Sequence, residues 1–421
     1  MKKSKFLLSA IAFVAGIAFA VMQLQSCGGS VSDDSSDEAE TIGESGNDTW
    51  SERQPNVVKV YIDASGSMRD YFGKSNITNV SDALTGLGQA TESLEAEYYV
   101  WNGDGKHLPI SQKDLTTRLI NKNLNGKSST FDKIFSEMIE LATPDTLTVL
   151  LSDGIMSSSS GQTKLSQSFT DYDKGHLKTE IQKAVRGKNK AVSIYRIMGD
   201  FNGSYYDKGN KPIKYSGSRP FYVFVIGDKD NVRYFDTQAR KGKIHEVYTN
   251  AESIHMDSAP RMSFKIEPTD GNDEMASFES FNQMGGSSKY EYPGTLGFRV
   301  KGDIPRWVRE TYGNNVIREM SEISVDEKPL KTKLTIEDGS ISFDIPEGMV
   351  TELNGKSNPY VIRYRMLDPA RQAWDKYSTD NDSQPDSIHT YLLQDLVDAL
   401  YKGVSPDKEA LLESTITIIP N

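Results

Sequence analysis

The chain has 421 residues, a formal net charge of −11 and a hydrophobic fraction of 37%. That is too long for one ordinary domain and has the balance of a soluble globular protein, so two folded units with tails are expected. The surplus of carboxylates weighs against nucleic acid as a partner, because affinity for phosphate backbones rests on basic patches. At the N-terminus, Lys2, Lys3 and Lys5 precede an uncharged, mostly apolar run over residues 6–22, and Leu24-Gln25-Ser26-Cys27 follows. Residues 28–54 are rich in Ser, Gly and acid and poor in apolar side chains, the composition of a flexible tether.

The folded part opens on Val57-Val58-Lys59-Val60-Tyr61-Ile62-Asp63-Ala64-Ser65-Gly66-Ser67-Met68. An apolar, β-branched strand runs into a polar turn that offers one carboxylate and two hydroxyls at i, i+2 and i+4. Three oxygen donors at a strand end suit a hard divalent cation. Helical spacing of Val80, Leu84 and Leu87, a short strand at residues 97–101 and a short helix at 114–121 come next. Ser128-Ser129-Thr130 then precedes Phe131, Ile134, Phe135, Met138 and Ile139, which places Thr130 at a helix N-terminus. Leu147-Thr148-Val149-Leu150-Leu151-Ser152-Asp153-Gly154 reads as a second strand ending in Asp-Gly.

Further on, Leu177, Ile181 and Val185 mark an amphipathic helix, residues 191–198 and 221–227 read as strands, and residues 231–242 as a helix. Strands alternating with helices predict βαβ units on a mostly parallel sheet. In such a sheet Asp63, Ser65, Ser67, Thr130 and Asp153 share the edge at which ligands bind. Residues 200–219 interrupt the alternation with Gly, Lys and three tyrosines. They read as a long β-hairpin joining the flanking strands, since a parallel crossover normally contains a helix; the alternative is a loop that sets tyrosines beside the metal edge.

From about residue 259 the period changes to two, in segments such as Arg261-Met262-Ser263-Phe264-Lys265-Ile266 and Tyr360-Val361-Ile362-Arg363-Tyr364-Arg365. Regular turns between them predict antiparallel strands in a sandwich. One helix is embedded there, with Ile388, Tyr391, Leu392, Leu396 and Leu400 on one face. The five histidines are scattered and the single cysteine excludes a zinc pattern; no nucleophile elbow and no phosphate-binding loop occur. No catalytic motif is read from these residues, and the chain is expected not to be an enzyme.

The order D-x-S-x-S, then a distant Thr, then an Asp resembles the metal-ion-dependent adhesion site of von Willebrand factor type A domains. That resemblance implies an α/β, doubly wound, mostly parallel (Rossmann-like) fold. It also implies a Mg²⁺ ion, or another divalent cation such as Mn²⁺ or Ca²⁺, held by Ser65, Ser67 and Thr130, with Asp63 and Asp153 acting largely through water. One coordination position would stay open for the carboxylate of a partner protein. The N-terminal stretch resembles a bacterial lipoprotein signal in which Cys27 is lipidated. The apolar run is nearly long enough for a transmembrane anchor, but a lone cysteine directly after Leu-Gln-Ser favours the lipid. Acidic residues soon after that cysteine resemble the surface-export signal of Bacteroidetes lipoproteins. The expected layout is a signal peptide at 1–26, a tether at 27–54, a type A domain at 55–255 and a β-rich domain at 256–421. The expected address is the cell envelope, as an outer-membrane lipoprotein facing the periplasm or the surface. Two other readings stay open: an accessory subunit docking to an envelope enzyme or chelatase-like complex, and a structural envelope protein whose metal site goes unused.

Overall fold

The computed structural model describes residues 52–90, 95–102, 107–124, 126, 131–155, 171–185, 189–207, 211–257, 262, 264–269, 279–283, 287–291, 296–356, 358–369, 374–404 and 410–420. Cys27 and the rest of residues 1–51, expected as signal and tether, Thr130, and the polar loop opened by Ser157 lie outside them.

Strand β1 (Val57–Asp63) is the axis of the first sheet. Its side chains alternate between two apolar faces. Val58, Val60 and Ile62 enter one core while Tyr61 enters the other. β1 pairs in parallel with β2 (Glu95–Trp101) on one side and β4 (Thr146–Ser152) on the other; β3 (His107–Ile110) adds antiparallel to β2. Beyond β4 come β6 (Pro212–Asp228), β5 (Lys190–Tyr206) and β7 (Glu252–Asp257), giving the order β3-β2-β1-β4-β6-β5-β7.

The mixed α/β class holds, whereas the expectation of a mostly parallel sheet needs correction. Only β2, β1 and β4 run parallel; β6 is antiparallel to β4, and β5 and β7 continue antiparallel. The cause is the connection. β5 and β6 are two 17-residue strands of one long hairpin, registered from Lys190↔Asp228 to Tyr206↔Pro212. A tight link can only return the chain antiparallel.

Helices cover both faces. α1 (Thr78–Gln89), α2 (Gln112–Ile120), α5 (Lys229–Arg240) and the short α6 (Glu246–Thr249) lie on the Val58 face. α3 (Phe131–Leu141) and α4 (Asp171–Val185) lie on the Tyr61 face, with Phe131, Ile134, Phe135, Met138 and Ile139 buried at the spacing the sequence shows. Ser111 caps α2 by accepting the Asp114 N–H at 3.1 Å, and Asp228 caps α5 by accepting the Asp230 N–H at 3.2 Å.

The later strands form a sandwich around a separate apolar core that includes Phe298, Phe343, Ile345, Tyr360 and Ile418. One layer contains β8 (Phe264–Pro268), β11 (Phe298–Asp303), β14 (Thr335–Glu337) and β15 (Ser340–Ile345). The other contains β9 (Glu279–Gln283), β10 (Ser287–Glu291), β12 (Ser321–Val325), β13 (Lys328–Pro329), β16 (Tyr360–Leu367) and β19 (Ala410–Ile419). Pairings in both layers are antiparallel except β10 with β19. Two helices, α7 (Arg306–Glu319) and α8 (Glu347–Asn354), accompany these strands.

Between β16 and β19 the chain leaves the sandwich. It forms the short parallel pair β17 (Ser378–Thr379) and β18 (Thr390–Tyr391), then α9 (Leu393–Val404). α9 packs on α4, and its Leu393, Leu396, Val397 and Leu400 share the Tyr61-face core.

Candidate metal site

The candidate donors occupy the C-terminal ends of two adjacent parallel strands. β1 and β4 are in register from Val57↔Thr146 to Ile62↔Leu151, so both chains emerge at one edge and deliver Asp63 and Asp153 side by side. Asp63 ends its strand in an Asx turn: its Oδ1 accepts the Ser65 N–H at 2.9 Å. The turn brings the Ser65 and Ser67 hydroxyl oxygens to 3.4 Å of one another, and Ser65 Oγ also accepts the Met68 N–H at 3.4 Å. On the neighbouring strand, Ser152 Oγ donates to Asp63 Oδ2 at 2.7 Å and fixes the second carboxylate oxygen.

After β4 the chain turns sharply at Gly154, whose φ of +71° and close approach to the Tyr222 ring both disfavour a side chain. There Asp153 Oδ1 accepts the Ile155 N–H at 3.1 Å. The loop leading toward α3 also reaches this edge. The Gly126 N–H donates to Ala64 O at 2.8 Å, and a Cβ on Gly126 would lie 2.6 Å from that oxygen. The next described residue is Phe131, the first of α3; Thr130, expected as a further donor, is outside the described residues.

The four placed donors are nearly closed to solvent: Asp63 is 2% exposed, Ser65 6%, Ser67 8% and Asp153 1%. Yet Asp153 Oδ2 is buried with no hydrogen-bond partner among the described residues. Burial first, and then the charge of Asp63, push the Asp153 carboxyl up to about 7; Ser67, the Ile155 N–H and the Arg219 charge pull the other way. Two buried carboxylates with an unsatisfied oxygen and two hydroxyls beside them are an all-oxygen set that a hard divalent cation would neutralise. The residues present therefore fit such an ion. A cluster of three or more His, Cys, Asp or Glu is absent among the described residues, so the fit rests on this serine-assisted carboxylate pair.

Two neighbours were not legible in the motif. Ser152 sits in an apolar run and shows itself through its bond to Asp63 and by accepting the Gly154 N–H at 3.2 Å. Arg219 is 1% exposed at the root of the β5–β6 hairpin; its guanidinium lies 4.4 Å from the Tyr205 ring centroid and its Nη1 donates to Asp386 O at 2.9 Å. Nothing in the local sequence marks a buried arginine, since its partners come from residues far along the chain. The histidines all rest against carboxylates: His107 on Glu137, His176 on Asp132, His245 on Asp82, His255 on Asp236 and His389 on Asp386.

No family model matches the chain, and neither a curated protein nor a solved structure matches it.

Proposed function

We propose that this is a lipid-anchored envelope protein that binds a partner protein through a divalent cation, and that its first region is a von Willebrand factor type A domain. What supports the reading is one observation: Asp63 and Asp153 lie buried at adjacent parallel strand ends, beside the Ser65 and Ser67 hydroxyls, with Asp153 Oδ2 unsatisfied. Ser65, Ser67 and Thr130 would hold Mg²⁺ (Mn²⁺ and Ca²⁺ being the alternatives), and Asp63 and Asp153 would balance its charge. When bound, the ion supplies a Lewis-acidic position that accepts a carboxylate from a partner.

The chain's own groups shape that position. Ser152 and the Ser65 N–H hold the Asp63 carboxylate in one orientation, so it does not have to reorganise when a cation arrives. In this reading the chain is tethered through lipid on Cys27, carries the domain away from an outer membrane on residues 28–54, and acts by binding, without catalysis. The sandwich serves as spacer or second contact surface.

Calorimetric titration of the full chain in detergent with Mg²⁺ tests the ion. A single site is expected in the wild type and loss of at least roughly tenfold in affinity for Asp63→Ala, the cost of deleting one charged group from the site. Equal heats for the two proteins would remove the assignment. A pull-down from envelope extract with and without EDTA then tests whether partner capture needs the ion.

A further inference from the structure

The β5–β6 hairpin continues past the sheet edge on the side where β1 and β4 end. β5 runs antiparallel to β6 and β6 antiparallel to β4, so β5 points the same way as β4 and its last residues reach over the metal edge. This arm is pinned along its length. Asn79 Nδ2 donates to Met198 O at 2.6 Å and Tyr71 Oη to Pro220 O at 2.6 Å. Further out, the Ser204 N–H donates to Asp70 Oδ2 at 2.7 Å, while Lys122 Nζ bridges Asp70 Oδ1 at 3.3 Å and Asn202 O at 3.2 Å. A Cβ on Gly203 would lie 2.0 Å from Asp70 Cγ, so the arm's backbone lies directly on that carboxylate. Tyr205 is buried, donates to Asp382 Oδ2 at 2.7 Å and stacks under Arg219.

The next residue, Tyr206, is thereby held over the turn that carries the two serines. Its Cε2 is 3.4 Å, and its hydroxyl 4.0 Å, from the point a Cβ would occupy on Gly66, midway between Ser65 and Ser67. The ring is half-buried. It is an O–H donor on a pinned arm, set against the turn that carries Ser65 and Ser67. An aromatic ring with a polar tip at that place is the kind of group that anchors a protein ligand.

We infer that Tyr206 is the second anchor for the ligand: its hydroxyl donates a hydrogen bond to the acidic side chain that the site receives. The inference rests on the ion-binding reading above and adds to it a specific group of this chain. It defines the ligand class as an exposed Asp or Glu of a partner protein, approached from the arm side.

The test separates the two layers with the full chain in detergent. Mg²⁺ alone is titrated by calorimetry, and fluoroacetate is titrated into Mg²⁺-saturated protein by ¹⁹F line broadening. Tyr206→Phe keeps the ring against Gly66 and removes only the donor. It is expected to leave the Mg²⁺ affinity within about twofold and to weaken fluoroacetate about tenfold, the loss of one hydrogen bond to a charged group. Tyr206→Ala is expected to weaken fluoroacetate at least as much. Fluoroacetate binding equal in wild type and Tyr206→Phe overturns the inference. So does a wild type that binds Mg²⁺ and ignores fluoroacetate. A wild type that takes no Mg²⁺ removes the ion reading itself, and this inference with it.

Discussion

At the scale of single residues the argument turns on Asp153. A carboxylate that is 1% exposed, next to a second buried carboxylate and short of one hydrogen bond, is held in place at a cost to the fold. Removing the charge while keeping the shape should therefore separate stability from binding. Asp153→Asn is expected to stabilise the chain in EDTA by on the order of a few kcal/mol, and to weaken Mg²⁺ binding by tenfold or more. Scanning calorimetry in EDTA and then in excess Mg²⁺ checks both. The melting temperature should rise for the variant in EDTA, whereas the increase on adding Mg²⁺ should be larger for wild type, since only a state that binds the ion gains from it. A variant that melts below wild type in EDTA would mean that the carboxylate charge is not a net cost to the fold. The motif residues were legible because D-x-S-x-S is local: one turn generates its geometry. Ser152 and Arg219 were not, because a polar residue inside an apolar strand declares a role only when the neighbouring strand and a distant loop are in place.

At the scale of elements, the central strands and longer helices of the first sheet followed from periodicity, but the edge strands β3 and β7, the short α6 and strand direction did not. A buried strand such as residues 221–227 has the same apolar run whether it is parallel or antiparallel to its neighbour, and only the connection decides. The outer strand β7 shows another long-range dependence. It is fastened to β5 and α5 by a buried charged network. His255 Nδ1 lies 2.7 Å from Asp236 Oδ2 and 2.9 Å from Ser193 Oγ, Tyr195 Oη donates to Asp236 Oδ1 at 2.5 Å, and Arg233 donates to Asp257 Oδ2 at 2.7 Å. Burial works against a charged imidazole there, but Asp236 and Asp257 outweigh it and push His255 up to about 9. A histidine whose folded value lies above its unfolded value of about 6.5 contributes stability that is complete below that value. The contribution is lost as pH rises toward 9, and amounts to about 3 kcal/mol in all. Urea unfolding in EDTA at pH 8 and 9.5, above the range in which Asp153 ionises, should show the last part of this decline, and His255→Gln should flatten it. A wild-type slope retained in the variant would place the titration elsewhere.

At the scale of the whole molecule, residues 374–404 decide how the parts depend on one another. In sequence they lie between β16 and β19, two strands paired within the sandwich, yet they cover the outer face of the first sheet. Trp374 packs by Tyr222, Tyr222 Oη shares a hydrogen bond of 2.9 Å with Thr390 Oγ1, and Arg196 lies 4.1 Å from the Tyr377 ring centroid. Gly403 meets Ile181 so closely that a Cβ would lie 2.1 Å from Ile181 Cγ2. Leu396 and Leu400 lie on the buried face of α9 as the spacing indicates, but the expected helix starts too early: Ile388 is exposed, Tyr391 belongs to β18, and Leu392, at a φ of +55°, precedes the first helical residue, Leu393. The described residues from 52 onward fall in one compact unit, and this excursion adds contacts between its parts. A fragment of residues 52–257 would leave Leu177, Ile181 and Tyr222 without the side chains that bury them. It is expected to bind a hydrophobic dye and to melt over a broad range, where the full chain gives one sharp transition. In the full chain, Leu396→Ala removes a fully buried side chain from this contact and should cost about 2–5 kcal/mol. Its effect should reach the sandwich: backbone amides of β16 and β19 should exchange faster in the variant, since the chain that carries α9 begins and ends in those strands. Unchanged exchange in β16 and β19, with faster exchange confined to α4 and α9, would show two regions that unfold independently, as a division near residue 256 requires.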